Sequence, residues 1–221
     1  MNSYFHPRPA RDRELVQILD AALADATRRS GDYLVCRPGC TQCCIGAFAI
    51  NQLDATRLRE GLAELTHSDP ARASRVLQRA EQSVARIALD FPGELGTGLL
   101  CESKRAQRKF EDFANDEPCP ALDPATGTCD LYAHRPMTCR VFGPPVRIEA
   151  ANNQTRGNDS GLGVCELCFH GATDQQIAAC EMQVDPDGLE SRLLDELESE
   201  SGSKGRTIVA SCLVQAPRSA V

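Results

Sequence analysis

The chain has 221 residues, enough to bury one fair-sized hydrophobic core without relying on cross-links. Its 42% hydrophobic and 25% charged residues are ordinary globular usage, but Trp is absent and aromatics reach only 5%, so packing falls to Leu, Val, Ile and Ala and favours helices. A formal net charge of -7 argues against a phosphate backbone as the main partner, because neutralising one requires clustered Lys and Arg.

The opening MNSYFHPRPARDREL carries charges where a secretory segment would need an apolar run. No stretch approaches the roughly 20 apolar residues that cross a bilayer. A cytoplasmic protein with no membrane and no nucleic-acid partner is therefore expected. In that setting twelve cysteines are anomalous, since cytosolic thiols are kept reduced and disulfide frameworks belong mainly to small secreted domains. Metal binding is the expected reason for them.

Residues 11–30 place Leu15, Ile18, Leu19, Ala22, Leu23 and Ala26 on one stripe at helical spacing, and Gly31 follows as a stop signal. After a cysteine-rich stretch with Pro38, Gly39 and Gly46, a second helix is expected to begin near Asn51 or Asp54. From 70 to 90, Val76, Leu77, Ala80, Val84, Ile87 and Ala88 share a face, and a shorter helix covers KRAQRKFEDFAND. The intervening FPGELGTGLLC reads as a loop whose glycines do not match a dinucleotide fingerprint.

Residues 117–147 are rich in proline and irregular, with CDLY and VF as short strand pieces, and IEAANNQTRGNDSGLG reads as an exposed turn. DQQIAACEM and GLESRLLDELESES look helical, the latter with Leu189, Leu193, Leu194 and Leu197 in register, and GRTIVASCLV reads as a closing strand.

CRPGCTQCC sets four cysteines in nine residues: Cys36, Cys40, Cys43 and Cys44. Burial without chemistry suits one isolated cysteine better than four. Disulfides within the stretch would be strained, above all between the neighbours Cys43 and Cys44. Thiolate sulfur selects zinc or iron-sulfur clusters, and Cys40 and Cys43 can point at one centre. In extended backbone adjacent side chains face opposite ways, so the doublet favours a polynuclear site or two neighbouring sites over one lone ion. Cys119, Cys129 and Cys139 recur at equal spacing in the segment without regular structure, and Cys165 and Cys168 form a CxxC-type pair.

CRPGCTQCC followed by CPALDPATGTCDLYAHRPMTCRVFG resembles the bacterial cysteine-cluster family named for its CxxCxxCC motif, whose members are described as zinc- or iron-chelating. The resemblance covers roughly residues 36–168 and implies eight metal ligands: Cys36, Cys40, Cys43, Cys44, Cys119, Cys129, Cys139 and Cys165, with Cys168 as the alternative to the last. One departure is the three residues, rather than two, between Cys36 and Cys40. The family also includes flagellin lysine methylases thought to use an iron-sulfur cluster with S-adenosylmethionine. That precedent sets iron ahead of zinc, while methyl transfer is not carried over on cysteine motifs alone.

Arg135 and Arg140 flank Cys139 and are candidates to offset the negative charge of a thiolate centre. Ordinary ion pairing is the alternative. His134 is a candidate ligand made unnecessary by the cysteines, and His6, His67 and His170 read as solvent-facing. Core packing is expected for Tyr132, a turn or cap for Asp130, and buried packing for Cys101, Cys180 and Cys212. No nucleophile elbow, P-loop or HExxH pairing is present.

The expectation is thus a mainly α protein, a small helical scaffold with irregular cysteine-rich metal-binding loops and few short strands. Its organisation is read as a single domain over 1–221, comprising a metal-binding region at 36–168 with a helical insert about 51–115, and a helical extension at 172–221. Its partners are metal ions. It holds an iron-sulfur cluster or zinc, with redox or cluster-dependent chemistry in the first case, and a non-catalytic zinc-stabilised interaction module or a metal storage and delivery protein as alternatives.

Overall fold

The computed structural model describes residues 7–37, 39–147, 161–185 and 187–215. Its helices are α1 (Asp12–Ser30), α2 (Gln52–Ser68), α3 (Pro70–Ile87), α4 (Lys104–Glu111), α5 (Met137–Val141), α6 (Asp174–Ala179), α7 (Leu189–Ser201) and α8 (Val209–Val214). The strands are β1 (Ala49–Ile50), β2 (Gly93–Glu94), β3 (Leu99–Leu100), β4 (Leu122–Asp123), β5 (Thr128–Cys129), β6 (Val146–Arg147), β7 (Leu162–Gly163) and β8 (Thr207–Ile208). No described strand exceeds two residues, so the fold is mainly α.

The chain divides into two compact units. The first comprises Met1–Pro9, Pro38–Pro136 and Leu193–Val221, and the second comprises Ala10–Arg37 and Met137–Arg192.

In the first unit, local signals set the helix ends. Asn51 caps α2 by accepting the Asp54 amide at 2.9 Å. Asp69 closes α2 by donating its amide to the Leu65 carbonyl and opens α3 by accepting the Arg72 amide at 3.0 Å, with Pro70 at the first helical position, where its missing N–H costs nothing. The buried faces of α2, α3 and α8 meet in an aliphatic core that includes Leu58, Leu62, Val76, Ala80, Val209 and Leu213. Gly61 sits in mid-helix because a Cβ there would lie 2.5 Å from the His134 ring, which packs against it.

An antiparallel sheet in the order β1-β8-β3-β2 borders a second cluster of Ile87, Phe91, Leu100, Phe113 and Ile208. Two expectations change here. The glycine-rich link carries the β2–β3 hairpin rather than plain loop. GRTIVASCLV is a strand only at Thr207–Ile208 and then turns into α8. Burial of Val209, Ala210, Cys212 and Leu213 in the helical core overrides the β preference of that run.

In the second unit, α1 ends as expected at Gly31, which has φ 49° and returns its amide to the Thr27 carbonyl. Leu15, Leu19 and Ala26 are buried along its stripe, whereas Ile18 is exposed. Strands β6 and β7 pair antiparallel, so the strand after Cys139 lies at Val146–Arg147, and the VF piece is instead split between the end of α5 and the next turn. A reciprocal Thr173–Gln176 capping box opens α6. The core of this unit joins Leu162, Cys165, Cys168, Phe169, Ile177 and Cys180, with Tyr33 and Leu34 packed on it. Of the expected turn over 148–163, residues 148–160 lie outside the described residues, as does His6, while Leu162–Gly163 is strand β7 instead.

Leu189, Leu193 and Leu197 are buried along α7, with Leu194 at the margin of that stripe.

Candidate metal centre

The expected ligands fall into both units. Cys40, Cys43, Cys44, Cys119 and Cys129 belong to the first, and Cys36, Cys139 and Cys165 to the second. None of the twelve cysteines is in a disulfide.

Backbone pairing in the first unit docks the cysteine loop on the segment that follows α4. The Cys119 amide donates to the Cys44 carbonyl at 2.7 Å, the Gly46 amide donates to the Glu117 carbonyl at 2.9 Å, and Ile45 bridges Pro118. The β4–β5 hairpin then brings Cys129 opposite Leu122, whose amide donates to the Cys119 carbonyl at 3.0 Å. Cys43, Cys44, Cys119 and Cys129 are all half-buried.

Their titration reports the same neighbourhood. The Cys43 thiol is pushed far above its usual range, first by a hydrogen bond with Cys44 and then by burial. Burial pushes Cys119 up to about 12, with the charges of Cys129 and Cys43 adding to the effect. Cys129 is raised by burial and by Asp130, while Arg135 and Arg72 oppose the rise. A metal bound by these sulfurs would have to displace their protons.

The doublet departs from its expected geometry. Gln42–Cys44 is a 3-10 turn, not extended backbone, and Cys44 is the foremost cause of the rise at the Cys43 thiol. Successive side chains in such a turn are not thrown to opposite sides, so the inference from extended geometry to a polynuclear site no longer follows.

The second unit brings three sulfurs together. The ligand atoms of Cys36, Cys165 and Cys168 all lie within 4.8 Å of one another, with Cys165 and Cys168 buried and Cys36 exposed. The Cys168 amide donates to the Cys165 carbonyl at 2.9 Å, closing the turn that turns both sulfurs one way. Next to it, the Phe169 amide donates to the Tyr33 carbonyl at 2.9 Å and the two rings stack at 5.8 Å, which ties the pair to the strand of chain leading into Cys36. Gly143 has φ 119°, and a Cβ on it would lie 3.2 Å from the Cys36 sulfur. Cys139, on α5 of the same unit, lies outside this group of three.

Arg135 lies in the first unit with its guanidinium 3.9 Å from the centroid of the Tyr132 ring. Tyr132 is 61% exposed and so is not a core residue, contrary to expectation. Arg140 is buried in the second unit and donates to both carboxylate oxygens of Asp20, at 2.9 and 3.2 Å. Asp130 lies in a turn, as expected, and is also a brace. Its buried carboxylate accepts from Arg72 and, at 2.5 Å, from Arg79, which also donates to the Pro120 carbonyl. This cross-brace holds the Cys119–Cys129 segment to α3, and sequence offered no signal for it.

His134 contacts Glu64 at 3.0 Å. His67 contacts the Ala63 carbonyl from an exposed position, and His170 is exposed as expected. Cys180 and Cys212 are buried as expected, but Cys101 is exposed, correcting its assignment to packing. Cys168 joins the trio alongside Cys165 rather than replacing it, and the CxxC spacing of GVCELC was the available signal.

The model of a family described as "CxxCxxCC: Putative zinc- or iron-chelating domain" matches residues 35–159. No curated protein and no solved structure matches the chain. No helix among the described residues is long and apolar enough to cross a membrane.

Proposed function

The chain belongs to the CxxCxxCC family of zinc- or iron-chelating domains, and we propose that it holds its metal through the thiolates of Cys36, Cys40, Cys43, Cys44, Cys119, Cys129, Cys139 and Cys165. The observation that carries this reading is the docking of Cys119 on Cys44 through a 2.7 Å backbone hydrogen bond, which draws two remote cysteine groups into one neighbourhood. Cys43, Cys44, Cys119 and Cys129 lie half-buried in that neighbourhood, and a cation bound there would replace their protons. An all-thiolate donor set suits an iron-sulfur cluster or zinc and disfavours magnesium or calcium, which take oxygen. Arg135 supplies a positive charge beside Cys129 that would offset the centre's net negative charge.

Iron-sulfur chemistry, with redox or cluster-dependent reactivity, is the first reading. Zinc is the second, favoured by the 3-10 turn at the doublet, which frees Cys43 and Cys44 to serve one ion. Anaerobic purification with absorption spectroscopy and elemental analysis separates the two. Brown protein with iron and acid-labile sulfide supports the first, and colourless protein with zinc supports the second. Protein that is well folded and free of both metals overturns the proposal. In either case Cys43→Ser and Cys129→Ser should each lower bound metal and thermal stability together.

A further inference from the structure

We infer that the second unit carries a metal site of its own, in which Cys36, Cys165 and Cys168 bind a single thiophilic ion. The inference rests on the reading that this chain chelates metal through thiolates, and it adds a ligand, Cys168, and a division of the ligands that the family match does not supply. The matched region ends at residue 159, before either cysteine of the GVCELC pair.

Geometry sets the nuclearity. Around one tetrahedral ion with bonds of about 2.3 Å, sulfurs stand about 3.8 Å apart. The trio, within 4.8 Å on every side, needs only a slight contraction to reach that arrangement. A four-iron cluster instead takes each thiolate on a different iron, at separate corners of a cube, and spreads its sulfurs farther. The close trio therefore selects one ion rather than a cluster.

The framework around the trio is already in place. Cys165 and Cys168 are fixed by their shared turn, and the stacking of Tyr33 on Phe169 holds the segment preceding Cys36 against it. Gly143 leaves room beside the Cys36 sulfur that any larger residue would crowd. The extra residue between Cys36 and Cys40 also acquires a reason. Cys36 serves a partner pair far along the chain, so it need not keep the motif's spacing to Cys40. Three protein thiolates leave the fourth position of a tetrahedral ion to a further donor, as in zinc sites that exchange ligands.

The test is zinc loading of the full chain under reducing, anaerobic conditions, with zinc per chain measured for wild type, Cys168→Ser, Cys36→Ser and Cys119→Ser. Cys168→Ser and Cys36→Ser are each expected to bind one ion fewer than wild type and to keep the remainder. Cys119→Ser should keep the ion that those variants lose, so that combining it with Cys36→Ser removes one ion more than Cys119→Ser alone. Cys36 is exposed, so its replacement guards against a folding defect in the buried Cys168 variant. Unchanged zinc in Cys36→Ser, or loss of all zinc together in every variant, overturns the inference while leaving thiolate chelation standing. Wild type that binds no zinc and no iron fails the broader proposal instead.

Discussion

The two units place cysteine in opposite relations to the hydrophobic core. In the first, an aliphatic core built from α2, α3 and α8 stands by itself, and Cys119 and Cys129 are packed on its edge. In the second, Cys165, Cys168 and Cys180 are three of the six buried residues of the cluster, beside Leu162, Phe169 and Ile177. A thiol is a small core residue that adds little apolar area. Metal bonds should therefore matter less to the folding of the first unit's helices than to the second unit's loops.

The largest effect follows directly. Structural thiolate-zinc sites contribute on the order of 10 kcal/mol to the folding of small metal-dependent elements. Stripping metal with a strong chelator under reducing conditions should thus abolish amide-exchange protection around Leu162–Cys180 while leaving it in the middle of α2 and α3. Hydrogen exchange followed by mass spectrometry reads both regions in one sample. Equal loss in the two would dissolve the distinction.

The same contrast explains what was legible in the sequence. Helices α1, α2 and α3 were readable because each pairs a periodic apolar stripe with a local end signal: Gly31, Asn51, Asp69 or Pro70. The family's metal chelation was readable because thiols at such density have few other uses. Tertiary context hid the rest. GRTIVASCLV is β-branched enough to suggest a strand, yet its second half is a helix because the core offers it a buried face. The backbone at Cys43–Cys44 had to be known before the doublet could be interpreted, and the 3-10 turn removed the premise of that inference. The meeting of Cys36 with Cys165 and Cys168 depends on turns such as Gly143 that no periodicity announces. The brace of Asp130 by Arg72 and Arg79 likewise joins residues far apart in the chain.

A smaller effect isolates a cysteine of the first unit that belongs to packing. Cys212 is fully buried, donates to the Ala55 carbonyl at 3.3 Å, and is pushed by burial from 9.0 up to about 11. Since the folded value lies above the unfolded one, this thiol's contribution to stability is complete below about pH 9 and is lost as pH rises toward about 11. The shift corresponds to roughly 2–3 kcal/mol. Denaturant titrations of wild type and Cys212→Ala across that window should show the variant losing less stability by about this amount. Its metal content should match wild type, and a loss of metal would move Cys212 from the core into the centre.

The smallest effect concerns the cap that starts α2. Asn51 follows β1 directly, and its side chain satisfies the Asp54 amide, one of the helix donors that has no partner inside the helix. Asn51→Ala leaves that amide to solvent and should cost about 1 kcal/mol in global unfolding, while Asn51→Asp, which keeps an acceptor oxygen, should recover most of it. Because α2 lies in the unit whose core is aliphatic, the loss should appear equally in metal-loaded and chelator-treated protein when α2 unfolding is followed. A penalty present only in the loaded form would mean that metal bonds, and not apolar burial, hold this helix in place.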